Sequence, residues 1–286
     1  MTTSEEAVLP AEARPAPLPA LVKRHRLSTR LWHWTNVVAL FVMLMSGLMI
    51  FNAHPRLYWG HYGANSDHAW LEIGSDPEGG YLRVGETRIG TTGLAGQWTR
   101  SDGQVERRAF PGWATIPSNY DLAGARRWHL AFAWVFAFGL LFFMVRAFWN
   151  RHAQQELTPG LAELKPRHLW QEVKDHARLR FPKGEPALRY NTLQKISYFL
   201  VIFLLLPAMI FSGLAMSPAM DANWPLLVDM FGGRQSARSV HFIVAFLLVG
   251  FILVHLLMVL LAGPIREVRA MITGWYQVPQ AKDPRP

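Results

Sequence analysis

The 286-residue sequence contains no cysteine. Iron–sulfur clusters are held by cysteine thiolates and c-type haem is attached through cysteine, so both are excluded within this polypeptide, as are disulfide bonds. Any redox role must therefore use noncovalently bound cofactors, and an iron–sulfur relay would belong to a partner protein.

Charge is also scarce, at 17% of residues, and it is absent from four long apolar runs. Each run can supply the roughly 17–25 residues that a transmembrane helix needs. We predict spans at about 32–53, 128–147, 196–218 and 239–262. The predicted fold class is an all-α membrane protein, a four-helix up-and-down bundle.

The first 30 residues lack an apolar h-region and include Glu5 and Glu6, which does not fit a cleavable signal peptide. Residues 8–20 are rich in alanine and proline, which is typical of disorder. We therefore expect a disordered arm at 1–25, a membrane domain at 26–275 and a tail at 276–286.

Basic residues set the expected orientation. They are dense between residues 23 and 30 and number ten from Arg146 to Lys195, but only two, Arg234 and Arg238, separate the third and fourth spans. By the positive-inside rule, both termini and the segment 148–195 are cytoplasmic and the insert 54–127 is periplasmic, in a multi-pass inner-membrane protein. The net charge of +9 thus reflects membrane topology, and we expect membrane lipid but no nucleic acid as a partner.

Four histidines lie within the predicted spans. His241 and His255 are 14 residues apart on the fourth span, so both point from nearly the same helix face, about 21 Å apart along the axis. His33 opens the first span and His129 the second. The predicted topology pairs His33 with His255 near the cytoplasm and His129 with His241 near the outside.

Paired imidazoles from facing helices are the axial ligands of b-type haem, so this pattern predicts two haem b groups, one per leaflet. The alternative is that each histidine makes an ordinary hydrogen bond between helices. Arginines close to the predicted ligands are candidate partners of the haem propionates. Interfacial snorkelling explains them equally well. These arginines are Arg30, Arg126, Arg127 and Arg238.

Several short motifs carry a family resemblance. They are Arg30-Leu31-Trp32-His33-Trp34, Pro111-Gly112-Trp113, Arg126-Arg127-Trp128-His129, Tyr190-Asn191-Thr192-Leu193-Gln194-Lys195 and the spacing of His241 and His255. Over residues 25–275 the chain resembles the bacterial and nickel-hydrogenase type di-haem cytochrome b family. That family includes formate dehydrogenase gamma subunits and the cytochrome b subunits of thiosulfate reductase or molybdopterin oxidoreductases.

The resemblance implies a role for each site residue. His129 and His241 would hold the outer haem, and His33 and His255 the inner haem. Asn191, with Gln194 one turn further on, would bind quinone beside the inner haem. From the residues alone, Asn191 and Gln194 can equally be the polar start of the third span.

The insert 54–127 contains β-like runs at Ala69–Ile73 and Tyr81–Val84 around a turn sequence, with a third at Thr87–Ile89. We expect a small β-hairpin in a cap over the outer haem, where a periplasmic protein docks. Histidines also recur there at 54, 61 and 68, but the cysteines and clustered carboxylates typical of metal sites are missing.

The predicted function is electron transfer between membrane quinone and a periplasmic redox subunit, molybdopterin-dependent by the resemblance. One alternative is a self-sufficient quinone-linked reductase or superoxide oxidase, which would need an outer haem open to small acceptors. Another is a proton or ion transporter with a histidine relay. A purified protein without haem would favour the transporter.

Overall fold

The computed structural model describes residues 21–150, 158–160, 163–178 and 191–278. Among these, four helices are long and apolar enough to cross a membrane, which confirms the predicted fold class. They are Leu27–Phe51, Leu122–Trp149, Thr192–Ala215 and Arg234–Ala262. Each begins earlier than predicted, because polar first turns continue the helix beyond its apolar run.

The starts of the second and third spans are fixed by side-chain caps. The Asp121 carboxylate accepts a hydrogen bond from Gly124 N at 2.8 Å. Asn191 Oδ1 accepts from Gln194 N, and Gln194 Oε1 accepts from Asn191 N, which completes a capping box. These contacts satisfy backbone donors that a first helical turn leaves unpaired.

The third span consists of three helical stretches: α4 (Thr192–Leu200), a π-helix (Val201–Leu205) and α5 (Leu206–Ala215). Pro207 lies just after the π-helix. Its ring clashes with the carbonyl four residues earlier, and it supplies no amide hydrogen. The wider π turn accommodates this defect without ending the span.

The four spans pack around an apolar core. The first span is α1, the second α2 (Leu122–Trp149) and the fourth α8 (Arg234–Ala262). The core side chains are Ala39, Phe136, Leu140, Val201, Leu206, Val244 and Leu248. The outward faces are equally apolar, as at Phe142, which is 66% exposed. Apolar side chains on both faces are what a helix surrounded by lipid requires.

Residues 52–121, which we call the cap, join α1 to α2. Their main sheet is antiparallel, in the order β2-β3-β4-β5. Its strands are Arg56–Leu57, Leu71–Asp76, Gly79–Val84 and Thr87–Gly90. A separate ribbon pairs β6 (Trp98–Thr99) with β7 (Val105–Glu106), and a 3-10 turn spans Gly112–Ala114. The expected hairpin is therefore the centre of a larger sheet.

A buried carboxylate holds this sheet together. Glu72 is 5% exposed and accepts hydrogen bonds from Arg56, Arg83 and the Tyr81 hydroxyl. Burial raises the pKa of Glu72, but these hydrogen bonds outweigh it and leave the pKa below its usual value. The network ties β2, β3 and β4 together.

The two ends of the described chain meet in a second two-stranded ribbon. Strand β1 (Leu21–Lys23) pairs antiparallel with β8 (Trp275–Gln277). Residues 1–20 lie outside the described residues, but 21–23 form a strand, so the predicted disorder of 1–25 is wrong at its end. Strand β8 likewise includes residues assigned to the tail. The remaining helices are α3 (Pro166–Ala177), α6 (Pro218–Asn223), α7 (Pro225–Asp229) and α9 (Pro264–Thr273).

Candidate haem sites

The structure brings the four membrane histidines together in the two predicted pairs. His129 and His241 lie near the starts of α2 and α8, at the end of the bundle under the cap, which we call the cap end. Their ring centroids are 6.3 Å apart. His33 and His255 meet at the opposite end, the terminal end, also at 6.3 Å.

Both separations fit a single metal ion between the rings. An imidazole nitrogen lies about 2 Å from a metal that it ligates and roughly 1 Å from its own ring centre. Two imidazoles on opposite sides of one iron therefore have centroids about 6 Å apart. The equal spacing suits axial ligation of haem at each end.

The His129 ring is held in one tautomer by the first span. Its Nδ1 lies 3.0 Å from the Met43 carbonyl oxygen and 3.2 Å from Ser46 Oγ. A carbonyl oxygen only accepts hydrogen bonds, so Nδ1 carries the proton. Nε2 is then unprotonated and able to bind iron.

The third span holds His241 in the same way. His241 Nδ1 lies 3.0 Å from Ser212 Oγ, and the backbone of Met209 also bonds to this ring. A Cβ atom at Gly213 would lie 3.3 Å from His241 Cε1, and one at Gly47 would lie 3.3 Å from His129 Cε1. Each glycine thus leaves room for the imidazole beside it.

Ser46 and Ser212 were not among the residues predicted from the sequence, although a repeat marks them. Met43-Leu44-Met45-Ser46-Gly47-Leu48 matches Met209-Ile210-Phe211-Ser212-Gly213-Leu214. Ala125-Arg126-Arg127-Trp128-His129 likewise matches Ala237-Arg238-Ser239-Val240-His241. The first two spans and the last two therefore build the cap-end pair from equivalent parts.

The terminal-end pair has different surroundings. Trp34 contacts His33 edge-on at 5.3 Å, and Phe251 stacks on His255 at 6.1 Å. Within the part of the chain that the structure describes, neither ring hydrogen-bonds to a protein group. Nearby, burial and the charges of Arg24 and Arg30 lower the pKa of His25 to about 4.

Two of the four predicted propionate partners are bound to backbone carbonyls. Arg30 donates to Ile272 O in α9, and among the described residues its buried Nε has no hydrogen-bond partner. Arg238 donates to His54 O and lies 5.6 Å from the Phe51 ring centroid. The other two, at 126 and 127, are exposed on the first turns of α2. Their role toward propionates stays a prediction.

Asn191 and Gln194 begin the third span as its capping box, as one of the two interpretations expected. Glu172 of α3 reinforces this start by accepting hydrogen bonds from Thr192 N and Leu193 N. Burial raises the pKa of Glu172, but these bonds outweigh it and leave the pKa lowered. The quinone role of Asn191 stays a prediction, and its helix-capping role must be separated from it experimentally.

The cap contacts the first turns of α8, just above His241. Trp70 Nε1 donates to Ser239 Oγ at 2.9 Å, and Ser239 Oγ donates to Tyr58 O at 2.6 Å. Gly60 O accepts from two amides of the first turn of α8. Among the described residues, no group of histidine, aspartate and glutamate side chains could hold a separate metal ion.

Four apolar helices that enclose imidazole pairs at two depths define a membrane-bound b-type cytochrome. The chain belongs to the prokaryotic cytochrome b561 family, whose model matches residues 24–274. It is 26% identical to a candidate protein-methionine-sulfoxide reductase subunit, YedZ1, of Azospira oryzae, over 86% of this chain and 93% of the relative. No solved structure matches the chain significantly.

Proposed function

We propose that this protein is a di-haem b subunit that carries electrons across the inner membrane between quinone and a periplasmic oxidoreductase. His129 and His241 would hold the outer haem, and His33 and His255 the inner one. The observation that carries the proposal is the equal 6.3 Å separation of the two imidazole pairs. Haem b supplies one-electron redox chemistry when bound.

The positions of two of these histidines on one helix support an electron route across the membrane. His241 and His255 lie on one helix, 14 residues apart, about 21 Å along its axis. That distance covers most of a hydrocarbon core about 30 Å thick. Helix α8 therefore supports a route that links the two membrane surfaces.

The outer end of this route would serve a periplasmic partner. The YedZ1 relative is named as a candidate subunit of a sulfoxide reductase, which supports an oxidoreductase partner here. We propose a molybdopterin-dependent one, docked on the cap, with both termini of this chain in the cytoplasm. A cap over the outer pair disfavours a self-sufficient enzyme that reduces or oxidises small external molecules.

Haem stoichiometry after single histidine substitutions tests the ligand assignment. The unaltered protein should contain two noncovalent haem b groups per chain. His33→Ala should lose one haem and His129→Ala the other, with distinct spectra for the haem that remains. His68→Ala, an exposed position in the cap, is the matched control and should retain both. Loss of the same haem in both variants, or one haem in the unaltered protein, would contradict the proposal.

The quinone site requires a variant that preserves the helix cap. We propose that the Asn191 amide donates to a quinone carbonyl at the inner haem, because a polar head group needs donors that lipid does not supply. Asn191→Ser keeps a capping hydroxyl but removes the amide donors, whereas Asn191→Leu removes both.

Stopped-flow reduction of the haems by a quinol analogue separates the two roles. Both variants should be reduced more slowly by quinol and normally by dithionite. Quinol reduction at the normal rate in Asn191→Ser, with slowing only in Asn191→Leu, would assign Asn191 to helix capping alone.

A further inference from the structure

Two buried serines at the cap end have their hydroxyl hydrogens already engaged within their own helices. Ser46 Oγ donates to Val42 O at 2.6 Å, and Ser212 Oγ donates to Ala208 O at 2.6 Å. Both residues are fully buried. A hydroxyl has one hydrogen and two lone pairs, so each Oγ faces its histidine as an acceptor.

We propose that Ser46 and Ser212 are a symmetric pair of positioning residues that lower the reduction potential of the outer haem. Each shares the hydrogen of one ligand's Nδ1–H with a backbone acceptor: Ser46 and Met43 accept from His129, and Ser212 and Met209 accept from His241. This inference rests on the proposed haem ligation and adds to it which protein groups set the properties of one haem.

The chemical effect acts through the ligating nitrogen. A hydrogen bond from Nδ1–H to an acceptor fixes the ring orientation and makes Nε2 a stronger electron donor. Stronger donation stabilises ferric over ferrous iron and lowers the reduction potential. Two such bonds act on the same iron, so their effects add.

The effect is confined to one haem. The His33 and His255 rings lie against aromatic side chains and, in the described part of the chain, have no hydrogen-bonded acceptor. The backbone acceptor at Met43 also remains when Ser46 is replaced. Removing a serine should therefore retune the outer haem without releasing it.

Potentiometric titration of the purified full-length protein, with the two haems resolved spectrally, tests the inference. Ser46→Ala and Ser212→Ala should each raise the outer-haem potential, and the double variant should raise it by about the sum. The inner-haem potential should not change, and two haems should remain bound. Ser46→Cys keeps the side-chain shape, with a slightly larger atom in place of the oxygen, but accepts hydrogen bonds weakly, so it should shift the potential in the same direction.

Ser239→Ala is the matched control. Ser239 is also fully buried and lies two residues from His241, but it bonds to Tyr58 and Trp70 of the cap. Its loss should leave the outer-haem potential unchanged.

Three kinds of result overturn the inference. An unshifted outer potential in the serine variants, with both haems bound, contradicts it and leaves the proposed function intact. Equal shifts of both haems, or the same shift in Ser239→Ala, would show a general loosening of the bundle instead. A protein without an outer haem would contradict the proposed function, and this inference with it.

Discussion

If the proposed haem ligation is correct, replacement of the two glycines beside the cap-end histidines should selectively weaken binding of the outer haem. In Gly47→Ala and Gly213→Ala the new Cβ lies 3.3 Å from an imidazole Cε1. Carbon atoms in favourable contact are about 3.5–4.0 Å apart, so each ring must retreat by a few tenths of an ångström. The two variants should behave alike because the two contacts are alike.

The size of the effect follows from the cost of overpacking. Adding a methyl group to a well-packed site costs about 1–3 kcal/mol. If the haem-free protein relaxes around the new methyl group, the cost is incurred only when haem binds. The affinity for the outer haem then falls by roughly 5- to 150-fold, at 1.4 kcal/mol per tenfold. Since the ring is displaced rather than removed, the haem should still bind at high haem concentration.

Haem titration of the apoprotein, followed at the absorption of each haem, measures this change. Gly250→Ala is the matched control, because Gly250 also lies within a span and a Cβ there would contact no other described part of the chain within 4 Å. That variant should bind both haems normally. Normal affinity for the outer haem in Gly47→Ala and Gly213→Ala, or weaker binding of the inner haem, would refute the reasoning.

Two further predictions concern the cap. Glu72→Gln should lower the free energy of unfolding of the cap by about 3 kcal/mol, which thermal denaturation can measure. This value is the lower end for a broken buried ion pair, because the Arg56 and Arg83 guanidinium groups keep some solvent contact. The pKa of Glu72 is lower folded than its ordinary value of 4.5, so its stabilisation is complete above that pH and is lost as the pH falls through the folded pKa. The free energy of unfolding of the Glu72→Gln variant should therefore decrease less on acidification than that of the unaltered protein. Trp70→Phe removes the hydrogen bond to Ser239 and should weaken the attachment of the cap to α8 by about 1 kcal/mol. Proteolysis of the cap should then be faster, and an unchanged cleavage rate would contradict a role of Trp70 in holding the cap on α8.

The spans and the pairing of the histidines were predictable because a bilayer leaves few choices. Long uncharged runs must form helices in lipid. Alternate spans run in opposite directions, which places His33 beside His255 and His129 beside His241. The helix starts were not predictable from hydropathy alone, because Asp121 and Asn191 extend their helices through capping and not through apolar character.

Ser46 and Ser212 were missed for a different physical reason. Small residues in a membrane helix are usually explained by close helix packing, and nothing in one span alone distinguishes a serine that contacts a histidine on a neighbouring helix. Only the repeat of Met-x-x-Ser-Gly-Leu in the first and third spans marks them. The π-helix was also missed, although Pro207 within an apolar run was a visible signal.

The same repeat shows that the two ends of the bundle are built differently. The offset that relates His129 to His241 relates Phe143 to His255, so the second half supplies a ligand where the first half supplies an aromatic ring. Phe143 stacks on Trp32 at 6.0 Å, next to His33. The cap end thus has two equivalent histidines in equivalent surroundings, which fits the proposed rigid electron carrier. The terminal end departs from the repeat, which fits the proposed binding of quinone there. If that asymmetry serves quinone, substitutions at the terminal end should alter quinol kinetics, whereas Ser46 and Ser212 variants should alter only the outer-haem potential.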